Sequence, residues 1–286
     1  MNYLLLFLFF IININFSLGF INPPNRLIYN PNNLLNTKKN LMIDPTIMPN
    51  FTKALIINGL GYNTLKYSNQ ESLTQSGLIH STLLGIGLMT FLGIKGYLLC
   101  VIYFILGSGV TKIKIEQKKK EGIAEKNNGA RGPTNVWGSA ATAMICAVLT
   151  YVDKSRANIY KLAYVSSLAT KLTDTFQSEI GKAYGKNTFL ITNLRKVPRG
   201  TEGAISIEGT IAGILGSLII NISAYKLGII DQNKQILISV VSSQIATFIE
   251  SYIGAKYQKK WLNNEIVNAI NTLIGAILSK LFYDFL

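Results

Sequence analysis

The sequence predicts an all-α fold, a polytopic integral membrane helix bundle with six to eight transmembrane helices. Three observations carry that expectation. Charged residues make up 15% of the 286, against roughly 25% in a soluble domain, and the mean hydropathy is +0.29. Eight apolar stretches follow one another after residue 50. The 28 lysines and arginines against 14 acids give a net charge of +14, and the bases crowd into alternate connections. A soluble nucleic-acid binder sets such charge on an otherwise polar surface, so nucleic acid is excluded as a partner and a lipid bilayer is expected.

In chain order, residues 1–19 read as a signal peptide. Tyr3 to Ile14 is an almost unbroken apolar run too short to span, and Ser17-Leu18-Gly19 offers the small residues a signal peptidase needs. Residues 20–50 read as a transit-like targeting segment: Phe20 to Asn40 holds Arg26, Lys38, Lys39, many asparagines and no acid. A signal followed by such a segment is the two-step address of plastids bounded by extra membranes, and Phe20 at the junction resembles the signals of red-algal-derived plastids. The expected location is therefore a complex, apicoplast-like plastid; a plain secretory signal followed by a linker is the alternative. Residues 51–286 are expected to form the membrane domain.

Its apolar stretches run from Phe51 to Leu65, Gly77 to Ile94, Tyr97 to Val110, Val136 to Val152, Ile159 to Leu172, Ile207 to Ile230, Ile236 to Ile253 and Ile266 to Phe285. A span needs about 20 residues. The last three qualify outright, the second and fourth come close, and the remaining three suit tilted or re-entrant segments. Gly209, Gly213 and Gly216 repeat at the spacing that lets membrane helices approach closely. Basic residues gather after the third stretch (Lys112 through Arg131), after the fifth (Lys182 through Arg199) and after the seventh (Lys256, Lys259, Lys260). If all eight stretches span, these three connections share one side of the membrane.

The carboxylates are the functional signal. Asp174 and Glu179 end the fifth stretch, Glu202 and Glu208 flank the start of the sixth, and Glu250 lies within the seventh. Acids at membrane depth are costly unless they face a partner, a cavity or an ion, and all five fall toward the basic side. Carboxylates beside lysine and arginine suit magnesium-assisted phosphoryl transfer. Structural ion pairs, such as Glu202 with Arg199, account for the spacing equally well, and both readings stay open here. Cys100 and Cys146 lie in apolar runs and read as buried thiols. His80 alone makes no multi-histidine metal site and reads as a packing residue. The run Gly181-Lys182-Ala183-Tyr184-Gly185-Lys186 is one residue short of a P-loop, and Gly107-Ser108-Gly109 lacks the third glycine of a dinucleotide fingerprint.

The runs Lys171-Leu172-Thr173-Asp174-Thr175-Phe176-Gln177-Ser178-Glu179-Ile180-Gly181-Lys182-Ala183-Tyr184-Gly185-Lys186 and Val197-Pro198-Arg199-Gly200-Thr201-Glu202-Gly203-Ala204-Ile205-Ser206-Ile207-Glu208 resemble the central signatures of the phytyl-phosphate kinases of plastids and cyanobacteria, a vitamin E pathway family with animal transmembrane relatives. Gln117-Lys118-Lys119, Gly122 to Lys126, Arg131-Gly132-Pro133, Glu250 to Ala255 and Trp261 to Asn268 extend the likeness over almost all of Phe51 to Leu286. Glu265 stands where the family pattern has aspartate, and Thr175 to Ser178 is bulkier than its small polar run. The resemblance implies phosphoryl transfer from a nucleoside triphosphate, CTP by preference, to an isoprenoid monophosphate such as phytyl or geranylgeranyl phosphate. With it, Asp174, Glu179 and Glu208 are expected to hold or orient Mg²⁺, with Glu250 and Asn264 in support. Lys182, Lys186 and Arg199 would bind phosphates, Glu202 would hold Arg199, and Lys112, Lys126 and Arg131 would bind the triphosphate tail or acceptor phosphate. A prenyl-alcohol kinase and a transporter of prenyl lipids are the alternatives; oligomeric state is not readable.

Overall fold

The computed structural model describes residues 47–68, 72–257 and 262–285, the side chains of Lys126 and Asn128 excepted. The expected signal peptide and almost all of the transit-like segment, up to residue 46, lie outside the described residues. Helix α1 (Ile47–Lys66) begins ahead of the Phe51 boundary and carries the first apolar stretch. Helix α2 (Gln75–Lys112) carries the second and third. As a straight rod its 38 residues would measure about 57 Å, almost twice the roughly 30 Å hydrocarbon core. It folds back instead at Gly93, whose φ of 66° and ψ of −170° suit glycine alone. Thr74, just before the helix, donates its N–H to the Arg131 carbonyl (3.1 Å), while the Arg131 guanidinium donates to the Tyr103 hydroxyl (2.9 Å). Along one continuous helix Thr74 and Tyr103 would be about 43 Å apart, so the arms 75–92 and 94–112 are antiparallel.

A short basic helix α3 (Ile115–Lys120) and a 3₁₀ turn (Lys126–Gly129) lead to α4 (Pro133–Val152), which opens with proline at its first position. Helix α5 (Ala157–Tyr184) follows, then strands β1 (Phe189–Leu190) and β2 (Ala204–Ile205), paired antiparallel with Phe189 opposite Ile205. Helices α6 (Ile207–Lys226), α7 (Asn233–Tyr257) and α8 (Asn264–Phe285) complete the bundle. Ser206 caps α6 by accepting the Gly209 N–H at 3.1 Å.

Among the described residues, five helices are long and apolar enough to cross a membrane: α2, α4, α6, α7 and α8. Each of the eight apolar stretches falls on its own helical segment, the two arms of α2 counted separately. Helix α5 misses the apolarity test for a physical reason. It packs against α2, α4, α6, α7 and α8, and every residue from Leu162 to Thr173 is buried. Ringed by protein, it can carry Ser166, Ser167, Thr170 and Lys171 where a lipid-facing helix would not. Its neighbours approach closely: a Cβ at Gly209 would stand 2.5 Å from the Gln177 carbonyl oxygen, and one at Gly275 2.0 Å from Thr170 Oγ1. His80 Nδ1 accepts the Trp137 indole N–H at 2.9 Å, tying α2 to α4.

Because successive segments alternate in direction, the connections α2–α4, α5–α6 and α7–α8 lie at one end of the bundle. These are the three basic connections. The Gly93 bend, the α4–α5 link and the α6–α7 link lie at the other, where a Cβ on Gly228 would stand 3.4 Å from Lys95 Nζ.

Candidate active site

The basic end encloses a polar cavity of about 1090 Å³. Helix α5 forms its floor. Lys171, Asp174, Ser178 and Lys182, spaced three or four residues apart, line one face of that helix and point into the cavity. Lys171 is deepest: its ammonium donates to Asp174 Oδ2 at 2.5 Å and to Asn268 Oδ1 of α8 at 2.7 Å. Helix α7 adds Glu250 and Ser251, and the start of α8 adds Asn264, Glu265 and Asn268. The first turn of α4 adds Asn135, whose amide donates to Glu265 Oε1 at 3.4 Å. The loop ahead of β2 adds Glu202. Arg131 enters from the α2–α4 connection, where its backbone pairs with Ser72 and Thr74 and its guanidinium lies against the Tyr103 and Phe104 rings.

A second layer of charge locks the mouth of the cavity. Lys118 of α3 and Glu179 of α5, each 1% exposed, form a buried ion pair, and Lys118 also donates to the Thr111 carbonyl at 2.7 Å. The other Glu179 oxygen holds Lys182 at 3.0 Å, and Lys182 reaches Glu125 at 3.6 Å. Both Glu179 oxygens are therefore committed to lysines. In the described structure Glu179 anchors Lys118 and Lys182.

Of the residues the sequence singled out, the cavity gathers Arg131, Asp174, Glu179, Lys182, Glu202, Glu250 and Asn264. Lys126 lies between the lining residues Glu125 and Asn127, and its side chain is outside the described set. Four others lie outside the lining. Glu208, expected at the metal, accepts the Lys186 backbone N–H at 3.3 Å. Lys112 and Lys186 are exposed. Arg199 is held by Glu121, whose two oxygens lie 2.7 and 2.9 Å from its Nη2. Lys114 donates to the Ala183 carbonyl at 3.2 Å, and Arg199 reaches the same oxygen at 3.4 Å, so both cations sit at the negative end of the α5 dipole. The sequence reading missed Lys118, Lys171, Asn135 and Asn268. Lys171 carried a usable signal, a lysine three residues before Asp174 within a segment otherwise read as a span.

The described lining residues include six carboxylates (Glu125, Asp174, Glu179, Glu202, Glu250, Glu265) and three cations (Arg131, Lys171, Lys182). Glu250 feels the charges of Asp174, Lys171 and Glu202. Among the described residues no group of three His, Cys, Asp or Glu side chains could hold a metal by itself. Asp174 and Glu250 both line the cavity and lie within electrostatic reach of each other.

A family model described as integral membrane protein DUF92 matches residues 61–276, a span that includes every candidate residue. An uncharacterized membrane protein of the cyanobacterium Synechocystis sp. is 46% identical over 79% of this chain and 88% of its own length. Protein VTE6, chloroplastic, of Arabidopsis thaliana is 44% identical over 75% of this chain and 66% of its own length. An uncharacterized membrane protein of Methanocaldococcus jannaschii is 34% identical over 83% of this chain and 96% of its own. No solved structure matches.

Proposed function

This chain belongs to the integral membrane protein DUF92 family, and from that premise we propose that it is a phosphotransferase acting on an isoprenoid monophosphate. A nucleoside triphosphate, CTP in the reading the motifs favour, donates its γ-phosphoryl group. An oxygen of the acceptor phosphate forms the new bond to the γ-phosphorus, the bond from that phosphorus to the β,γ-bridging oxygen breaks, and the nucleoside diphosphate leaves. Phytyl and geranylgeranyl phosphate are the acceptors the motif resemblance points to. The kinship with a chloroplast protein and a cyanobacterial protein supports a plastid membrane as the location; the complex-plastid address rests on residues 1–50 alone.

The observation that carries this reading is the charge balance of the cavity. Among the described lining residues carboxylates outnumber cations, and a divalent cation arriving with the nucleotide would offset that excess for two phosphate-bearing substrates. Mg²⁺ held by Asp174 and Glu250 would neutralise nucleotide phosphate charge there. Lys171, Lys182 and Arg131 supply fixed positive charge for the phosphate oxygens, in a site shielded from water where such groups act strongly. The acceptor is already an anion, so no strong base is required. Asp174 and Glu179, tied to lysines, are poorly suited to abstract the proton of an alcohol, which favours the monophosphate over the prenyl alcohol as acceptor.

The test is a kinase assay on the detergent-solubilised chain with Mg²⁺, each of the four nucleoside triphosphates, and phytyl or geranylgeranyl monophosphate or the free alcohols. Diphosphate formation that disappears in Asp174→Asn supports the proposal. Product only from alcohols moves the assignment to an alcohol kinase, and no product from a folded sample moves it to transport.

A further inference from the structure

We infer that the isoprenoid tail of the acceptor leaves the polar cavity past Ser206 and lies in an apolar groove between the β1–β2 pair and the start of α6, an assignment that rests on the kinase reading of the cavity. The groove holds about 210 Å³ and is lined by Phe189, Ile205, Ser206, Ile207, Thr210 and Ile211. Ser206 also lines the polar cavity, so one residue separates the two spaces. Its hydroxyl is occupied in capping α6 and offers little polarity to the groove. On the cavity side, a Cβ at Gly181 would stand 3.3 Å from Ser206 Oγ, so α5 runs close past Ser206, and Lys182 of the same turn lines the cavity. On the groove side, Ile207 (75% exposed), Ile211 (54%) and Leu215 (53%) form an i, i+4 row along α6. In a spanning helix that row faces lipid.

This juxtaposition fits one kind of molecule, an anionic head joined to a long hydrocarbon. Its phosphate sits in the cavity within reach of Lys182, and its first isoprene units cross Ser206 onto Phe189, Ile205 and Ile207. The remainder of the tail follows the α6 row into the bilayer. The acceptor therefore enters sideways from the membrane without its tail crossing the charged cavity. Burial of apolar carbons in the groove gives the site a preference for long acceptors over short ones.

Two measurements test the groove. The first compares geranylgeranyl monophosphate with dimethylallyl monophosphate in the wild type and in Ile211→Trp, which fills the groove from an exposed position. The variant is expected to raise KM for the long acceptor roughly tenfold and so to narrow its advantage over the short one; an unchanged ratio of long- to short-acceptor KM overturns the inference. The second uses a geranylgeranyl monophosphate carrying a diazirine on its first isoprene units, photolysed on the solubilised wild-type chain and mapped by mass spectrometry. Labelling at Phe189 or residues 205–211, displaced by unlabelled prenyl phosphate but not by phospholipid, is the expected result. Labelling elsewhere, or displacement by phospholipid alone, overturns it. Specific labelling of the groove without nucleotide turnover would keep the tail site and reject the kinase reading, so the two fail separately.

Discussion

Replacing Glu179 by glutamine separates the two roles open to this residue, metal ligand or anchor of lysines. Its oxygens hold Lys118 and Lys182, and Lys118 and Glu179 are each 1% exposed. At an effective dielectric constant of about 20, a pair such as Glu179–Lys182 at 3.0 Å attracts by roughly 5 kcal/mol before desolvation is charged against it. Removing one partner of such a buried pair leaves uncompensated charge and costs about 3 to 5 kcal/mol. For a domain of this size that lowers Tm by roughly 6 to 20 °C. Cys146 is buried and Cys100 partly so, both with free thiols, so a thiol-reactive dye added during a thermal ramp reads unfolding directly in detergent. Glu179→Gln with Lys118→Met removes both charges, and this double variant should recover about half or more of the loss, because the two sites share one interaction. If Glu179→Gln keeps the wild-type Tm while turnover collapses, the anchor assignment is wrong and the residue belongs with the metal and phosphates.

Asp174→Asn should lower turnover by roughly 100- to 1,000-fold while shifting Tm far less than Glu179→Gln, because Lys171 retains Asn268 as a partner; kinetics and the dye ramp on one preparation check both. Chelating Mg²⁺ should abolish turnover and weaken nucleotide binding measured by calorimetry without acceptor, and Mg²⁺ should restore both; metal-independent binding would leave the carboxylate excess unexplained. Gly209→Ala should destabilise by about 1 to 3 kcal/mol, since its Cβ would stand 2.5 Å from the Gln177 carbonyl oxygen, and the same dye ramp measures it. On the α4–α5 link, hydrogen bonds from Ser155 and Tyr160 and the charge of Arg156 hold the Asp153 carboxyl below its usual range. Its contribution to stability is then present above the unfolded-state value near pH 4 and lost as pH falls through the lower folded value; Asp153→Asn should flatten that acid-side limb of Tm.

The features legible in the sequence are those set by one element at a time. Apolar length located all eight helical segments, and alternating basic connections placed three loops at one end. Asp174 and Lys182 emerged because their helix carries both within a few turns. What stayed hidden depends on which elements meet. Arg199 pairs with Glu121, 78 positions away, and Glu179 pairs with Lys118, 61 positions away. Neither separation leaves a local trace, because helix packing decides it. Glu208, at the membrane edge, accepts the Lys186 backbone N–H, a contact set by how the α5–α6 connection folds back on α6. Lys171 carries the same signal as the acids, since a lysine at that depth is costly too.

The enclosure of α5 explains why this chemistry sits inside a membrane bundle at all. An isolated lysine or aspartate facing lipid would cost several kcal/mol. Lys171 and Asp174 avoid that penalty by lying on α5, which packs against α2, α4, α6, α7 and α8, and by neutralising each other, with Asn268 accepting a further hydrogen bond from Lys171. The same enclosure leaves the Lys171 and Asp174 side chains only 10% and 14% exposed, which strengthens their mutual attraction. It also closes the direct route for a hydrocarbon tail, since the walls around Lys171 and Asp174 are helices packed on α5. On the proposed reading, the tail enters where those walls stop. In the described structure the apolar groove beside the cavity lies at Ser206, between the short β1–β2 pair and the lipid-facing row of α6.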